Sequence, residues 1–287
     1  MMMPAANARH AMAERRIETP AGALQVCVTG HGRTPLVLWH ALFADPSMFE
    51  PLVERLAPNY RLLLVAAPGH GASGLPADRL TSAASGAAVL AILDAYEIPR
   101  AGVVGCSWGG IAGIQAALQA PHRIVAVAAF NTPLGPGTRD LGSRAIVTMA
   151  GWIGGTTFFG RRVAAEFFGR MTHARYPERV ARFVEGFRGR DPSALRRAAR
   201  AVLMERESLL PALPAIQVPL LIVSGAEDRR YPSAEAAQIA GGVPRARFVE
   251  APGSAHLTPL ENPTLAERLV RDLLIDAEFP IVRHAGR

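Results

Sequence analysis

Gly105-Cys106-Ser107-Trp108-Gly109-Gly110 is the stretch that decides the fold. Ahead of it runs a short apolar segment, Ala101 to Val104, and behind it a small-residue helical stretch, Ile111 to Ala120. An apolar strand, a G-x-S-x-G turn and a helix make the layout of a nucleophile elbow, whose sharp turn stands the serine Oγ out at the carboxyl end of the strand. Glycines two residues either side of Ser107 let strand and helix approach without a Cβ clash. Two other interpretations compete. Residues 101–122 carry no Asp, Glu, Lys or Arg, and Gly105, Gly109 and Gly113 keep the small-xxx-small spacing of a membrane-spanning helix with a packing face. Three glycines within six residues, with Gln115 and Gln119, argue against a span. The plainer alternative is a buried strand and helix with an idle serine.

Outward from the elbow, strands and helices alternate. Arg15 to Thr19 and Leu24 to Thr29 read as strands around the turn Pro20-Ala21-Gly22. Leu36 to His40, Arg61 to Ala66 and Ile124 to Phe130 are apolar runs suited to strands buried on both faces. Helices are expected from Ser47 to Leu56, with a Ser47/Glu50 capping box, and from Thr81 to Tyr96. After Thr132-Pro133 the rhythm changes. From Leu134 to about Ala215 the segments are helical, Ala145 to Phe159 apolar with glycines, Pro177 to Phe187 and Ser193 to Ser208 amphipathic and arginine-rich. Strand signals resume at Pro219 to Val223 and at Arg247 to Glu250, with helices near Ser233 to Ala240 and Pro263 to Leu274. This order predicts an α/β fold with a mostly parallel sheet flanked by helices. The expected organisation is a leader over 1–12 without order, a core over 13–133 and 216–276, a helical cap over 134–215 and a tail over 277–287.

At 287 residues the chain buries a sizeable core in one or two domains. All 31 basic residues are arginine, and residues 134–215 hold 14 of them against 7 acidic residues, which accounts for the whole net charge of +7. No recognition motif accompanies that charge, so nucleic acid is not an expected partner. Two cysteines, Cys27 and Cys106, give neither a disulfide framework nor metal-ligand spacing. Without an apolar signal segment in Met1 to Arg16, the expectation is a cytoplasmic protein that engages no membrane.

A serine hydroxyl needs a base to take its proton, and the base needs a third group to hold it. The strand ending at Val223 runs into Ser224-Gly225-Ala226-Glu227-Asp228, and the next into Ala251-Pro252-Gly253-Ser254-Ala255-His256. Both lie at the sheet edge where open α/β folds build their sites. The order Ser, acid, His nominates Ser107 as nucleophile, Asp228 as orienting acid and His256 as base, with Glu227 a rival for Asp228. Backbone N–H groups of Trp108 and of the loop His40-Ala41-Leu42-Phe43 are the candidate oxyanion donors, Leu42 ahead of Phe43. Cys106 is expected to be a buried, inert thiol and His70 a structural residue of its turn.

These motifs carry a resemblance. His40-Ala41-Leu42, Pro68-Gly69-His70-Gly71-Ala72-Ser73, the elbow, Gly225-Ala226-Glu227-Asp228 and His256-Leu257-Thr258-Pro259-Leu260-Glu261-Asn262-Pro263 together resemble the α/β-hydrolase fold over roughly residues 15–275. Within that family the chain is most similar to 3-oxoadipate enol-lactonase-like carboxylesterases and lactonases. The resemblance implies cleavage of a small-molecule ester or lactone through an acyl-enzyme, with no metal or organic cofactor. A related C–C bond hydrolase and a non-catalytic receptor on the same fold are the alternatives. The arginine-rich cap allows a carboxylate-bearing substrate clamped by a cap arginine, against a simply solvated helical face. Assembly as a homo-oligomer stays open. Two positions depart from the family: Ala41 stands where His-Gly is usual, and Ala66 where an acid precedes the Gly-His-Gly.

Overall fold

The computed structural model describes residues 13–279. Eight strands build one sheet: β1 (Ala13–Thr19), β2 (Gly22–Thr29), β3 (Thr34–Trp39), β4 (Tyr60–Val65), β5 (Ala101–Cys106), β6 (Ile124–Phe130), β7 (Leu220–Gly225) and β8 (Ala246–Ala251). Their order across the sheet is β1-β2-β4-β3-β5-β6-β7-β8. β2 pairs antiparallel with β1 and β4, and every pairing from β4 to β8 is parallel. The α/β architecture expected from the alternating pattern is therefore present. Parallel strands need cover on both faces, and β5, β6 and β7 are buried at every residue. β1 ends the sheet with Glu14, Arg15 and Arg16 exposed, charges that keep an edge from pairing with another chain.

Helices α1 (Glu50–Leu56), α2 (Ser82–Ala95) and α3 (Trp108–Gln119) link β3 to β4, β4 to β5 and β5 to β6. Between β6 and β7 lie α4 (Leu141–Ile153), α5 (Thr157–Phe167), α6 (Arg170–Arg175), α7 (Pro177–Glu185) and α8 (Pro192–Ala199), and no strand. α8 continues into a π turn, Arg200–Met204. After β7 come α9 (Ser233–Gly241), α10 (Thr258–Glu261) and α11 (Pro263–Asp276). Successive strand residues face opposite sides. Around Gly113 of α3 the neighbours are Val103 and Val127, whereas Gly102 faces Leu274 of α11, so α3 and α11 cover opposite faces.

Several local expectations shift. Helix 47–56 begins instead as a 3-10 turn over Pro46–Phe49, capped by the Asp45 carboxylate accepting from the Ser47 amide. Pro46 supplies the fixed φ of a first helical residue, so the cap moves one residue ahead of it and the Ser47/Glu50 box does not form. The apolar stretch 101–122 divides into β5 and the 12-residue α3, and no helix among the described residues is long and apolar enough to cross a membrane. The expectations for 1–12 and for most of the tail lie outside the described residues.

Candidate active site

Ser107 sits between β5 and α3 with φ 54° and ψ −110°. A non-glycine residue at positive φ costs about 1–3 kcal/mol and persists only where its surroundings enforce it. Here the Ser107 amide donates to Phe130 O (2.7 Å), and its carbonyl accepts from the Gly110 and Ile111 amides. The flanking glycines are required sterically. A Cβ on Gly105 would stand 2.1 Å from the Gly109 carbonyl carbon, and one on Gly109 only 1.8 Å from Trp39 O. Gly109 thus brings the start of α3 against the end of β3.

The structure brings His256 and Asp228 together: His256 Nδ1 donates to Asp228 Oδ2 at 2.9 Å, with both side chains buried. Asp228 Oδ2 also accepts from Asn131 Nδ2 (3.0 Å), and Oδ1 from the amides of Arg230 (2.9 Å) and Tyr231 (3.2 Å). Burial by itself raises this carboxyl, but the His256 ring and these donors hold it below its ordinary value. Glu227 turns away, accepting from the Arg170 amide at 2.8 Å, so the rival acid does not reach His256. Ser107 and His256 line one cavity of ≈160 Å³, together with Leu42, Phe43, Ile146, Met149, Val163, Phe167, Val202, Leu203 and Tyr231. The π turn delivers Val202 and Leu203 to that wall.

The loop after β3 is held by two histidines. His40 Nε2 accepts from the Ala67 amide (2.8 Å), and His70 Nε2 accepts from the Phe43 amide (3.1 Å). Each ring therefore carries its proton on Nδ1, aimed at Ala41 O (2.8 Å) and Pro68 O (3.0 Å) respectively. His70 thus does more than shape its own turn. The Phe43 amide is engaged by His70, whereas the Leu42 amide has no acceptor among the described residues. The Trp108 amide, at the first position of α3, has no intrahelical acceptor. Burial drives His40 down to about 4 and holds His70 well below its ordinary value.

That pair predicts an acid-sensitive fold. In the unfolded chain each ring takes up a proton near pH 6.5, whereas the folded rings stay neutral. Stability is therefore full above pH 6.5 and declines as pH falls toward 4. Calorimetry is expected to show Tm dropping by about 5–10 °C between pH 7 and pH 5. A flat Tm there would mean that the native rings titrate as they do in the unfolded chain.

Three supporting residues went unnoticed in the sequence. Asn131, at the end of β6 with φ 49°, donates to both Asp228 Oδ2 and Ala255 O (2.8 Å). A lone amide side chain directly after an apolar strand was its only trace. Buried Glu261 accepts from the amides on either side of His256, Ala255 (2.9 Å) and Leu257 (3.2 Å), and from Gly169 N (2.7 Å) and Thr172 Oγ1 (2.8 Å). Arg190, between α7 and α8, reaches the loop after β3. The family departure at Ala66 has a local substitute: Gln25 Oε1 accepts from the Ala72 amide at 3.0 Å and steadies the Gly-His-Gly turn. Cys106 is fully buried, with Sγ 3.4 Å from His256 O and burial pushing its thiol well up, as expected of an inert cysteine. No cluster of metal-ligating side chains occurs among the described residues.

Comparison with known proteins places these features in company. The alpha/beta hydrolase family profile matches residues 36–268. The chain is 34% identical over 247 residues to a pimeloyl-[acyl-carrier protein] methyl ester esterase of Xanthomonas campestris pv. campestris, covering 81% of this chain and 91% of that protein. It is 26% identical over 208 residues to 3-oxoadipate enol-lactonase 2 of Acinetobacter baylyi, covering 72% and 76% respectively. The solved enol-lactonase of Burkholderia xenovorans LB400 superposes with a TM-score of 0.82 at 26% identity, over 91% of this chain and all of that one (100%).

Proposed function

The chain belongs to the alpha/beta hydrolase family and is a hydrolase of the carboxylesterase type, and on that premise we propose that it cleaves a small-molecule ester or lactone through Ser107, His256 and Asp228. The observation that carries this is the bond from His256 Nδ1 to a carboxylate whose every other contact is a donor, in a cavity shared with the strained Ser107. An acceptor-only partner on Nδ1 leaves Nε2 without a proton, ready to take one from Ser107 Oγ.

In this mechanism Ser107 Oγ attacks the ester carbonyl while His256 Nε2 takes its proton. The new oxyanion lies against the Leu42 and Trp108 amides. The carbonyl re-forms as the C–O bond to the alcohol breaks, and His256 returns the proton to the leaving oxygen. Water, deprotonated by His256, then attacks the acyl-enzyme; the bond to Ser107 Oγ breaks, His256 returns the proton to that oxygen, and the acid leaves. Every step is served by these side chains and amides, so the proposed chemistry requires no cofactor.

Segment 134–215 acts in this proposal as the cap that closes the cavity. The walls are mostly apolar, and ≈160 Å³ is close to the volume that admits a benzene-sized group. A small apolar alcohol group fits such walls, as in the methyl ester named for the Xanthomonas relative. A second group on the substrate would meet the charged lining residues Arg162, Glu166 and Arg230. Arg162 is already paired with Glu166 at 3.1 Å, whereas Arg230, also lining the cavity, makes no ion pair among the described residues. A substrate carboxylate is thus read by Arg230, in the loop after β7, rather than by a cap arginine.

The test is hydrolysis of short-chain nitrophenyl esters by the purified protein beside Ser107→Ala. Activity that falls by at least about 10³-fold in the variant supports the serine mechanism. Equal rates in the two proteins would sink it and move the C–C hydrolase and receptor alternatives forward. Neutral and carboxylate-bearing esters of equal chain length, compared by kcat/KM, then separate the substrate classes.

A further inference from the structure

We propose that Arg190, a side chain of the helical segment, is the positioning residue of the oxyanion site: its guanidinium fixes the backbone that presents the Leu42 amide. The inference rests on Ser107 acting as the nucleophile.

The geometry is specific. Arg190 Nη1 donates to Phe43 O at 2.7 Å and to Ala44 O at 3.2 Å, and Nη2 donates to Asp45 Oδ2 at 2.7 Å. Nε holds the guanidinium in place by donating to Gly186 O at 2.7 Å, and Cζ lies 4.6 Å above the Phe187 ring. The side chain is 12% exposed and does not line the cavity, so it acts through the loop and not on the substrate. Asp45 is its only carboxylate partner among the described residues, and Asp45 is also the cap of the 3-10 turn that follows.

The loop needs such a hold. Phe43 has φ 67°, a left-handed conformation that costs a non-glycine residue about 1–2 kcal/mol. Its amide is tied to His70 from the core side, and its carbonyl to Arg190 from the helical segment. The Leu42 N–H belongs to the Ala41–Leu42 peptide, whose carbonyl accepts from His40 Nδ1 at 2.8 Å and from the Ala44 amide at 3.1 Å; with Phe43 and Ala44 held by Arg190, that peptide keeps one direction. A preorganised donor contributes most where its dipole need not reorient as charge develops. Lysine cannot replace this group, because three acceptors on one fork require the planar guanidinium.

Arg190→Lys and Arg190→Met should be compared with Arg182→Gln, which removes another contact between helical segment and core, to Glu50, without touching the loop. With a nitrophenyl ester, kcat is expected to fall about 10–100-fold in the Arg190 variants at a KM within twofold of wild type, the size of a weakened oxyanion donor. Affinity for a trifluoromethyl ketone, whose adduct carries an oxyanion, should fall in parallel with kcat/KM. Arg182→Gln should leave both unchanged. Hydrogen exchange of the 41–45 segment, followed by mass spectrometry, should accelerate at least tenfold in Arg190→Lys, and this readout needs no turnover. If Arg190→Met fails to fold, Arg190→Lys and Asp45→Asn carry the test. Unchanged exchange, or unchanged kcat and ketone affinity in a folded Arg190 variant, overturns the inference. An active Ser107→Ala would overturn the nucleophile assignment instead, with the exchange result standing by itself.

Discussion

Asp228→Asn is expected to lower kcat on a nitrophenyl ester by about 10⁴-fold with the fold intact. The reason lies in how completely this carboxylate is used. Oδ1 faces two backbone amides, those of Arg230 and Tyr231, and Oδ2 faces two side-chain donors, His256 Nδ1 and Asn131 Nδ2. An asparagine at 228 has one oxygen and one NH₂. The backbone amides are fixed donors, so they take the oxygen, and the NH₂ is left against His256 and Asn131. His256 then escapes a donor–donor contact only by moving its proton to Nε2, the atom that must be empty to accept from Ser107. The base is present and in place, but in the wrong tautomer. The kinetic constants and Tm should be measured together. A loss under tenfold would mean that His256 is oriented by some other group.

Gly109→Ala is the second large effect, and it strikes the fold. The new Cβ would sit 1.8 Å from Trp39 O and 2.6 Å from Trp39 C, which are backbone atoms of a fully buried strand end. No side-chain rotation relieves that overlap. Either β3 or the start of α3 must move, and both are packed against the rest of the sheet. The expected outcome is loss of more than about 4 kcal/mol, seen as failure to accumulate soluble protein or as a collapsed Tm. A well-folded Gly109→Ala protein would show that α3 is free to withdraw from β3. In that case activity should still drop, since the Trp108 amide moves away from the Leu42 loop.

Chemistry was legible in the sequence where it follows directly from a strand. Of the proposed triad, Ser107 directly follows β5 and Asp228 lies three residues past β7, both apolar runs that mark their own ends, while His256 lies five residues past the mixed strand β8. The parallel sheet was legible for the same reason, since strands covered on both faces have no polar alternation to confuse them. The supports were not legible, because their partners arrive from far along the chain. Asn131 meets a carboxylate 97 residues away, Glu261 an amide 92 residues away, and Arg190 a carboxylate 145 residues away. Among 31 arginines nothing in the sequence marks Arg190 as largely enclosed. The start of the helix near Ser47 failed for a local reason: two capping patterns overlap there, and the one that uses Pro46 at its first position prevails.

The His256 amide donates to Phe167 O at 3.0 Å, at the end of α5, while Glu261 grips Gly169 and Thr172 just beyond it. His256, the proposed base, therefore leans on the same stretch of chain that walls its chamber. A chimera that transplants a foreign segment between β6 and β7 to change substrate range would have to bring its own carbonyl, amide and hydroxyl to those three points. A graft chosen only for its cavity wall would inherit a new chamber and a misaligned histidine. The junctions worth preserving in such a library are accordingly Phe167 to Thr172 and the Arg190 turn, not the splice sites at the strand ends.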